Sequence, residues 1–234
     1  MAKKQNKTQT KGQEEITQVL TKSEIFFDKY KKQLIAGLAA IIVVVIAVML
    51  WNNYRANRNE KASTSLAKCQ DLFAAQDYDK ALKGDSLGTP GLIQLANDYS
   101  STKAGNLANL YAGLSYAKLE KWEEAVKYLD KFDTANDLII SPLSVMAMGD
   151  AYANVKQYDK AVDLFKKAAK MADSATKDGV NNSVSPMALQ KAGIILIDQK
   201  KNDEALALFK QIKEKYLQSP SQSDVDKYIE YLTK

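Results

Sequence analysis

Histidine is absent from this 234-residue sequence, and Cys69 is its only cysteine. These absences exclude Ser-His-Asp and Cys-His nucleophilic pairs, zinc sites built from histidine and cysteine, and an intramolecular disulfide. The sequence also lacks the GxxxxGKS/T and GxGxxG patterns that cradle phosphates. The composition therefore predicts a protein with no catalytic residues, no bound metal and no cofactor.

One enzyme class survives these exclusions, a hydrolase that works through paired carboxylates. Aspartate and glutamate together number 28. They are scattered beside lysines in segments of helical periodicity, which is typical of solvated helix surfaces rather than of a converging acid pair. We therefore expect no enzymatic activity, and we interpret Cys69 as a small packed residue rather than a reactive thiol.

The longest apolar run covers residues 34–51 and contains no charge and no proline. As a helix it would be roughly 27 Å long, close to the ~30 Å hydrocarbon core of a bilayer. A cleaved signal peptide is the alternative, but the run begins late and no small-residue cleavage pattern follows it. These features favour a single uncleaved transmembrane helix, with the lipid bilayer as its partner.

Charge around this run predicts its orientation. The first 33 residues contain eight lysines and four acidic residues, a net charge of +4 out of +5 for the whole chain. Basic residues also follow the run, but Trp51 and Tyr54 suit the opposite interface, so we expect a cytoplasmic N-terminus. The tail lacks the aromatic and glycine interleaving of a nucleic-acid-binding arm, so no nucleic acid is expected as a partner. Part of it has an apolar helical face, formed by Ile16, Val19, Leu20 and Phe27.

A spacing recurs three times in the C-terminal part of the chain: a glycine precedes an alanine by 12 residues. A large residue follows each glycine by three positions, and another follows each alanine by four. A polar stretch stands before each alanine, as expected of a turn between two helices. The glycine and alanine pairs are Gly113 with Ala125, Gly149 with Ala161, and Gly193 with Ala205. The large residues are Tyr116, Tyr152 and Leu196 in the first helices, and Leu129, Phe165 and Phe209 in the second helices.

This pattern resembles the tetratricopeptide repeat, in which small residues let two antiparallel helices approach closely. It predicts an all-α helical-hairpin solenoid after the transmembrane helix. Pro142 and Pro186 are expected at the starts of two hairpins, each preceded by a serine suited to capping. We divide the chain into a basic tail (1–33), a transmembrane helix (34–51), a membrane-proximal helix with a degenerate hairpin (52–104), and three repeats with a capping helix (105–234).

The resemblance also implies a protein-binding groove along the first helix of each hairpin. Ten of the twelve groove positions are apolar, which suits an apolar protein segment as ligand. The alternative is that these residues form core, covered by the C-terminal helix or by a second copy of the chain in a homo-oligomer. The positions are Leu107, Leu110, Leu114 and Ala117 in the first repeat, Leu143, Met146, Asp150 and Ala153 in the second, and Met187, Gln190, Ile194 and Ile197 in the third.

The whole arrangement is similar to the ancillary SecYEG translocon subunit family of the YfgM type. The similarity rests on the lysine-rich tail, the FFDKYKK segment before the anchor, the WNNYR segment after it, and the repeats. It implies a single-pass protein of the bacterial inner membrane with a periplasmic C-terminal domain. The implied partners are the SecYEG channel, a periplasmic chaperone and exported client proteins. A repeat scaffold that organises another cell-envelope complex is the alternative.

Overall fold

The computed structural model describes the backbone of residues 2–85 and 88–234, and the side chains of residues 29–85 and 88–234. The predicted all-α fold is confirmed, because every regular element in these residues is a helix. The side chains of Ile16, Val19, Leu20 and Phe27 lie outside this description. The helices are α1 (Ala2–Ala74), α2 (Tyr78–Lys83), α3 (Leu92–Asp98), α4 (Lys103–Lys118), α5 (Trp122–Leu129), α6 (Ile140–Asn154), α7 (Tyr158–Ser174), α8 (Val184–Asp198), α9 (Asn202–Lys215) and α10 (Gln222–Thr233).

The chain forms two compact units, one ending at Ala56 and one spanning Asn57–Lys234. In the first unit, the apolar run lies within α1 and exposes its side chains, such as Val43 at 65% and Leu50 at 66%. The Lys29–Ala74 portion of α1 has a mean hydropathy of 3.0 in its most apolar window, none of which is buried. Among the described residues, it is the one helix long and apolar enough to cross a membrane.

The second unit is a solenoid of helical hairpins. The pairs α4/α5, α6/α7 and α8/α9 each form an antiparallel hairpin, and successive hairpins stack through α5 on α6 and α7 on α8. The helices α4, α6 and α8 also contact one another in order and form an inner row. Residues 57–74 of α1 pack with α2, α3 and α4 around Leu66, Cys69 and Leu82. At the other end, α10 packs on α9 and caps the stack.

The recurring glycines lie where the two helices of a hairpin touch. A Cβ added to Gly149 would lie 2.8 Å from the Phe165 ring, and one added to Gly193 would lie 2.7 Å from the Phe209 ring. The first hairpin has the same contact between Gly113 and a leucine, at 2.6 Å. Any side chain at these positions would push the helices apart, which is the physical reason for the spacing seen in the sequence.

Each hairpin turn contains one residue in the left-handed conformation. In the second repeat this residue is Lys156, and the amides of Lys156 and Gln157 donate to the carbonyls of Ala153 and Tyr152. This pair of hydrogen bonds is the Schellman motif, which normally uses glycine. The hairpin of Cys69 has the same turn, so it shares this feature with the three repeats. The four residues are Gln76 (φ 62°), Glu120 (φ 57°), Lys156 (φ 63°) and Lys200 (φ 60°).

Replacing Lys156 with glycine is expected to raise the free energy of unfolding by about 0.5–1 kcal/mol, because glycine adopts the left-handed conformation without a Cβ clash. Urea denaturation followed by circular dichroism measures the change. As a control, Lys167→Gly, at an exposed position inside α7, should lower the free energy of unfolding by about 1 kcal/mol. Equal effects of the two glycines would contradict the assignment of strain to the turn.

The prediction of serine caps at Pro142 and Pro186 is wrong. Both prolines are the third residues of their helices, which begin at Ile140 and Val184, and the N-cap residue before each helix makes no side-chain capping hydrogen bond. In α6 the Asp137 carboxylate accepts a hydrogen bond from the Ser141 backbone amide instead, at 3.1 Å. Ser185 is fully buried, and its hydroxyl lies 2.9 Å from the carbonyl of Ala169 in α7 and donates to the Asp173 carboxylate of the same helix, at 2.6 Å. The serine before each proline is therefore used to attach the helix start to the preceding segment rather than to cap it.

Candidate protein-binding groove

The twelve predicted groove residues lie on the inner row, but they differ in exposure. Leu110 and Met146 are buried, at 7% and 8% exposure, because they pack between successive hairpins. Met187 and Ile194 are exposed, at 41% and 37%. The other eight are partly exposed: Leu107, Leu114, Ala117, Leu143, Asp150, Ala153, Gln190 and Ile197. The described residues therefore leave most of this face accessible.

The structure brings four of these residues together around an apolar pocket of about 390 Å³ between α1, α4 and α6. We call it the α4–α6 pocket. The predicted residues in its lining are Leu107, Leu110, Leu114 and Leu143. Six further residues complete the lining: Gln70, Phe73, Tyr111, Ile139, Ile140 and Ser144.

Six residues of this lining were not predicted from the sequence, and four of them fall into two groups. Gln70 and Phe73 follow Cys69 by one and four positions, as Leu114 and Ala117 follow Gly113. Ala81 follows Cys69 by 12 residues, which is the spacing of the three repeats, so this spacing could have placed Gln70 and Phe73 in the groove. The second group belongs to no repeat position. Ile139 and Ile140 are 59% and 52% exposed beside the pocket, and their signal was an apolar triplet, with Leu138, at a loop boundary.

Between the second and third repeats, the inner row carries an ion pair. The Lys191 ammonium lies 2.7 Å from the Asp150 carboxylate and joins α8 to α6. Both side chains are more than a third exposed, at 38% and 40%, so the pair contributes at most about 1 kcal/mol to stability. Its main effect is to neutralise the one charged residue of α6, which leaves this part of the inner row without net charge.

A second pocket, of about 580 Å³, lies between α8 and α10. We call it the α8–α10 pocket. It includes the last two predicted groove residues and adds two tyrosines and three charged residues. The α10 helix therefore borders this end of the groove without filling it. The lining residues are Ile194, Ile197, Asp198, Asp224, Lys227, Tyr228 and Tyr231. Six of the twelve predicted residues line neither pocket: Ala117, Met146, Asp150, Ala153, Met187 and Gln190.

Comparison with known proteins agrees with this hairpin geometry. A family model for tetratricopeptide repeat-like domains matches residues 24–172, and a tetratricopeptide repeat model matches residues 187–219. The chain belongs to the tetratricopeptide repeat-like domain family. Repeats of this family form protein-interaction modules, so the second unit is one. No curated protein sequence matches the chain closely enough to count as a relative.

One solved structure shows the same fold. It is the crystal structure of a Podosopora anserina protein that is described as a kinesin light chain with nearly identical tetratricopeptide-like repeats. It superposes with a TM-score of 0.55 and 12% sequence identity, covering 74% of this chain and 85% of that chain. At 12% identity this similarity shows only that the two proteins share the tetratricopeptide solenoid fold.

The tetratricopeptide array holds α8 in place through the carboxylate of Asp173 at the end of α7. This carboxylate accepts hydrogen bonds from Ser185 Oγ (2.6 Å), Tyr216 Oη (2.7 Å), Lys215 Nζ (2.6 Å) and the backbone amide of Asn181 (2.9 Å). Partial burial raises the pKa of Asp173, but these hydrogen bonds outweigh it and hold the pKa below its usual value. Burial, followed by the hydrogen bond to Asp173, raises the pKa of Tyr216.

Asp173→Asn is expected to lower the free energy of unfolding at pH 7 by about 1–3 kcal/mol, because charge-assisted hydrogen bonds from three segments are weakened. The folded-state pKa is depressed, so the stabilisation is complete above the unfolded-state value near 3.8 and is lost as pH falls through the folded-state pKa. Chemical denaturation between pH 7 and pH 3 should therefore show the two proteins converging at the acid end. Asp163→Asn, at an exposed position of the same helix, is the control and should change little.

Proposed function

We propose that this protein is a non-enzymatic, membrane-anchored module whose tetratricopeptide array binds apolar segments of partner proteins. The observation that carries the proposal is the α4–α6 pocket on the inner row. It is about 390 Å³ in volume, its lining is largely apolar, and Ile139 and Ile140 are exposed beside it. Exposed apolar surface around a concave pocket is characteristic of interaction sites.

Charge distribution supports an uncharged ligand segment along α6. The α6 helix has one charged residue, Asp150, which is neutralised by Lys191, whereas α7 in the outer row has seven charged residues. An apolar segment can therefore lie along α6 without burying a charge against it. Burial of one large apolar side chain contributes about 1.5–3 kcal/mol, so a single anchoring residue gives weak binding. Tethering to a membrane compensates, because it raises the local concentration of the site near membrane-bound partners.

We further propose that the protein is an ancillary subunit of the Sec translocon in the bacterial inner membrane. Its N-terminal tail is cytoplasmic and its array is periplasmic in this proposal. Its partners are the SecYEG channel, a periplasmic chaperone and newly exported proteins. Support comes from the sequence resemblance of the tail, the anchor and its two flanking segments, and from a binding face suited to unfolded, apolar chain segments.

In vivo photo-crosslinking from position 140 tests this proposal. Ile140 is 52% exposed and lines the pocket, whereas Leu110, at 7% exposure, is too buried for the photoreactive residue. Mass spectrometry of the trapped proteins should identify SecYEG subunits, a periplasmic chaperone or exported chains. The control is the same residue at Lys210, an exposed position of the outer helix α9, where these products should be depleted. Recovery of cytoplasmic proteins only, or of the same set from both positions, would contradict the proposal.

A further inference from the structure

The α8–α10 pocket differs chemically from the rest of the inner row. Ile194 and Ile197 provide an apolar lining, as in the α4–α6 pocket. Unlike that pocket, it also contains two tyrosines and two aspartates. A ligand group that fits here must therefore combine an apolar part with a polar or charged end.

The two tyrosines are used differently. The Tyr228 ring stacks on Phe209, with ring centroids 4.6 Å apart and planes inclined by 8°, so one face of Tyr228 is already covered. Tyr231 is 68% exposed and stacks on no other ring of the described residues. Its face is open at the pocket, and the negative face of an aromatic ring attracts a cation.

The charges at the pocket leave one carboxylate uncompensated. Lys227 Nζ lies 3.0 Å from the Asp224 carboxylate, so these two charges neutralise each other. Asp198 is exposed, and within the described part of the chain it has no ion-pair or hydrogen-bond partner. The neighbouring acids of α10 are paired away from the pocket, Asp226 with Lys213 and Glu230 with Lys234. The pocket therefore has an excess of one negative charge.

We propose that the α8–α10 pocket binds one basic side chain of the partner polypeptide, with arginine preferred over lysine. The aliphatic part of an arginine can lie over Ile194 and Ile197, as long basic side chains do on apolar surface. Its planar guanidinium can stack on Tyr231 and donate two hydrogen bonds to Asp198, a geometry that a lysine ammonium does not match. This inference rests on the proposed function, since it assigns one residue of the ligand that the inner row binds.

Peptide binding to the full-length protein in lipid nanodiscs tests this assignment. The probes are fluorescein-labelled 15-residue peptides of alanine, serine and leucine, identical except for one central residue, which is arginine, lysine or glutamine. Fluorescence anisotropy at low salt should show the arginine peptide binding about tenfold more tightly than the glutamine peptide, with the lysine peptide between them. The difference should shrink at high salt, because the attraction to an exposed carboxylate is screened.

Three variants locate the preference. Asp198→Asn should make the arginine and glutamine peptides bind equally, because the uncompensated charge is removed without a change of shape. Lys227→Gln should increase the preference, because it frees the second carboxylate, Asp224. Asp226→Asn, on the same helix but outside the pocket lining, is the matched control and should leave the preference unchanged.

The outcomes separate this inference from the function on which it rests. Equal binding of the arginine and glutamine peptides by the unmodified protein would overturn the inference while leaving peptide binding by the array intact. A preference that persists in Asp198→Asn would also overturn it, since the cation would then be recognised elsewhere. If none of the peptides binds, both the inference and the apolar-segment function are overturned.

Discussion

Replacing Phe165 with alanine is expected to lower the free energy of unfolding by about 3–5 kcal/mol. The ring is 1% exposed and fills the space beside Gly149, at the centre of the largest cluster of buried residues. Removing it leaves a cavity between α6 and α7 that rigid helices cannot close. Denaturant unfolding of the full-length protein measures the loss. Tyr158→Ala, which removes a 43% exposed ring from the same helix, should cost far less.

The same contact can be tested from its other side. Gly149→Ala adds a methyl group into the Phe165 ring and should cost about 1–3 kcal/mol by overpacking. Combining it with Phe165→Leu should cost less than the sum of the two single changes, because the smaller side chain makes room for the methyl group. Additive costs would mean that the glycine is required for another reason.

The second large effect concerns binding. The double substitution Ile139→Ser and Ile140→Ser is expected to weaken binding of the apolar peptides by about 10- to 100-fold, since it removes two exposed apolar side chains beside the α4–α6 pocket. Both residues are more than half exposed, so the array should remain folded. Fluorescence anisotropy with the glutamine peptide described above measures the change without any contribution from the basic-residue pocket.

A neighbouring residue provides the control for this experiment. Leu138 is 49% exposed and adjacent in sequence, but it does not line the pocket. Leu138→Ser removes exposed apolar surface from the same loop. It should leave the affinity for the glutamine peptide within about twofold of that of the unmodified protein. Equal losses from Leu138→Ser and the double variant would indicate non-specific adsorption of the peptide to apolar surface rather than binding in the pocket.

The hairpins could be predicted because their contacts are local in sequence. Gly193 and Phe209 are 16 residues apart, and their contact needs only two helices and one turn, so the spacing alone predicts the pairing. The same spacing extends to Cys69, which occupies the glycine position of the hairpin formed by α1 and α2. Helix boundaries near Pro142 were less predictable, because the helix starts two residues before the proline and is anchored by tertiary contacts.

The groove surface was harder to predict than the fold. Repeat periodicity places Leu110 and Leu107 on the same face, but only the stacking of successive hairpins decides that Leu110 is buried and Leu107 is partly exposed. Ile139 and Ile140 reach the pocket because the loop after α5 returns to the inner row, which no repeat position encodes. The position of Asp198 relative to Tyr231 likewise depends on how α10 packs beside α8. These two helices are separated in the sequence by the whole of α9.

The buried position of Cys69 has a practical consequence. Its side chain is inaccessible and its thiol donates to the Pro90 carbonyl, at 3.1 Å. Burial, and then the carboxylate of Asp85, raise the pKa of Cys69 to about 11, so only about one thiol in ten thousand is ionised at pH 7. The unmodified chain, whose single cysteine is buried, should therefore react very little with maleimide reagents. Single cysteines introduced at Leu138, Lys210 or Tyr231 can report the accessibility of each surface without first removing a native thiol.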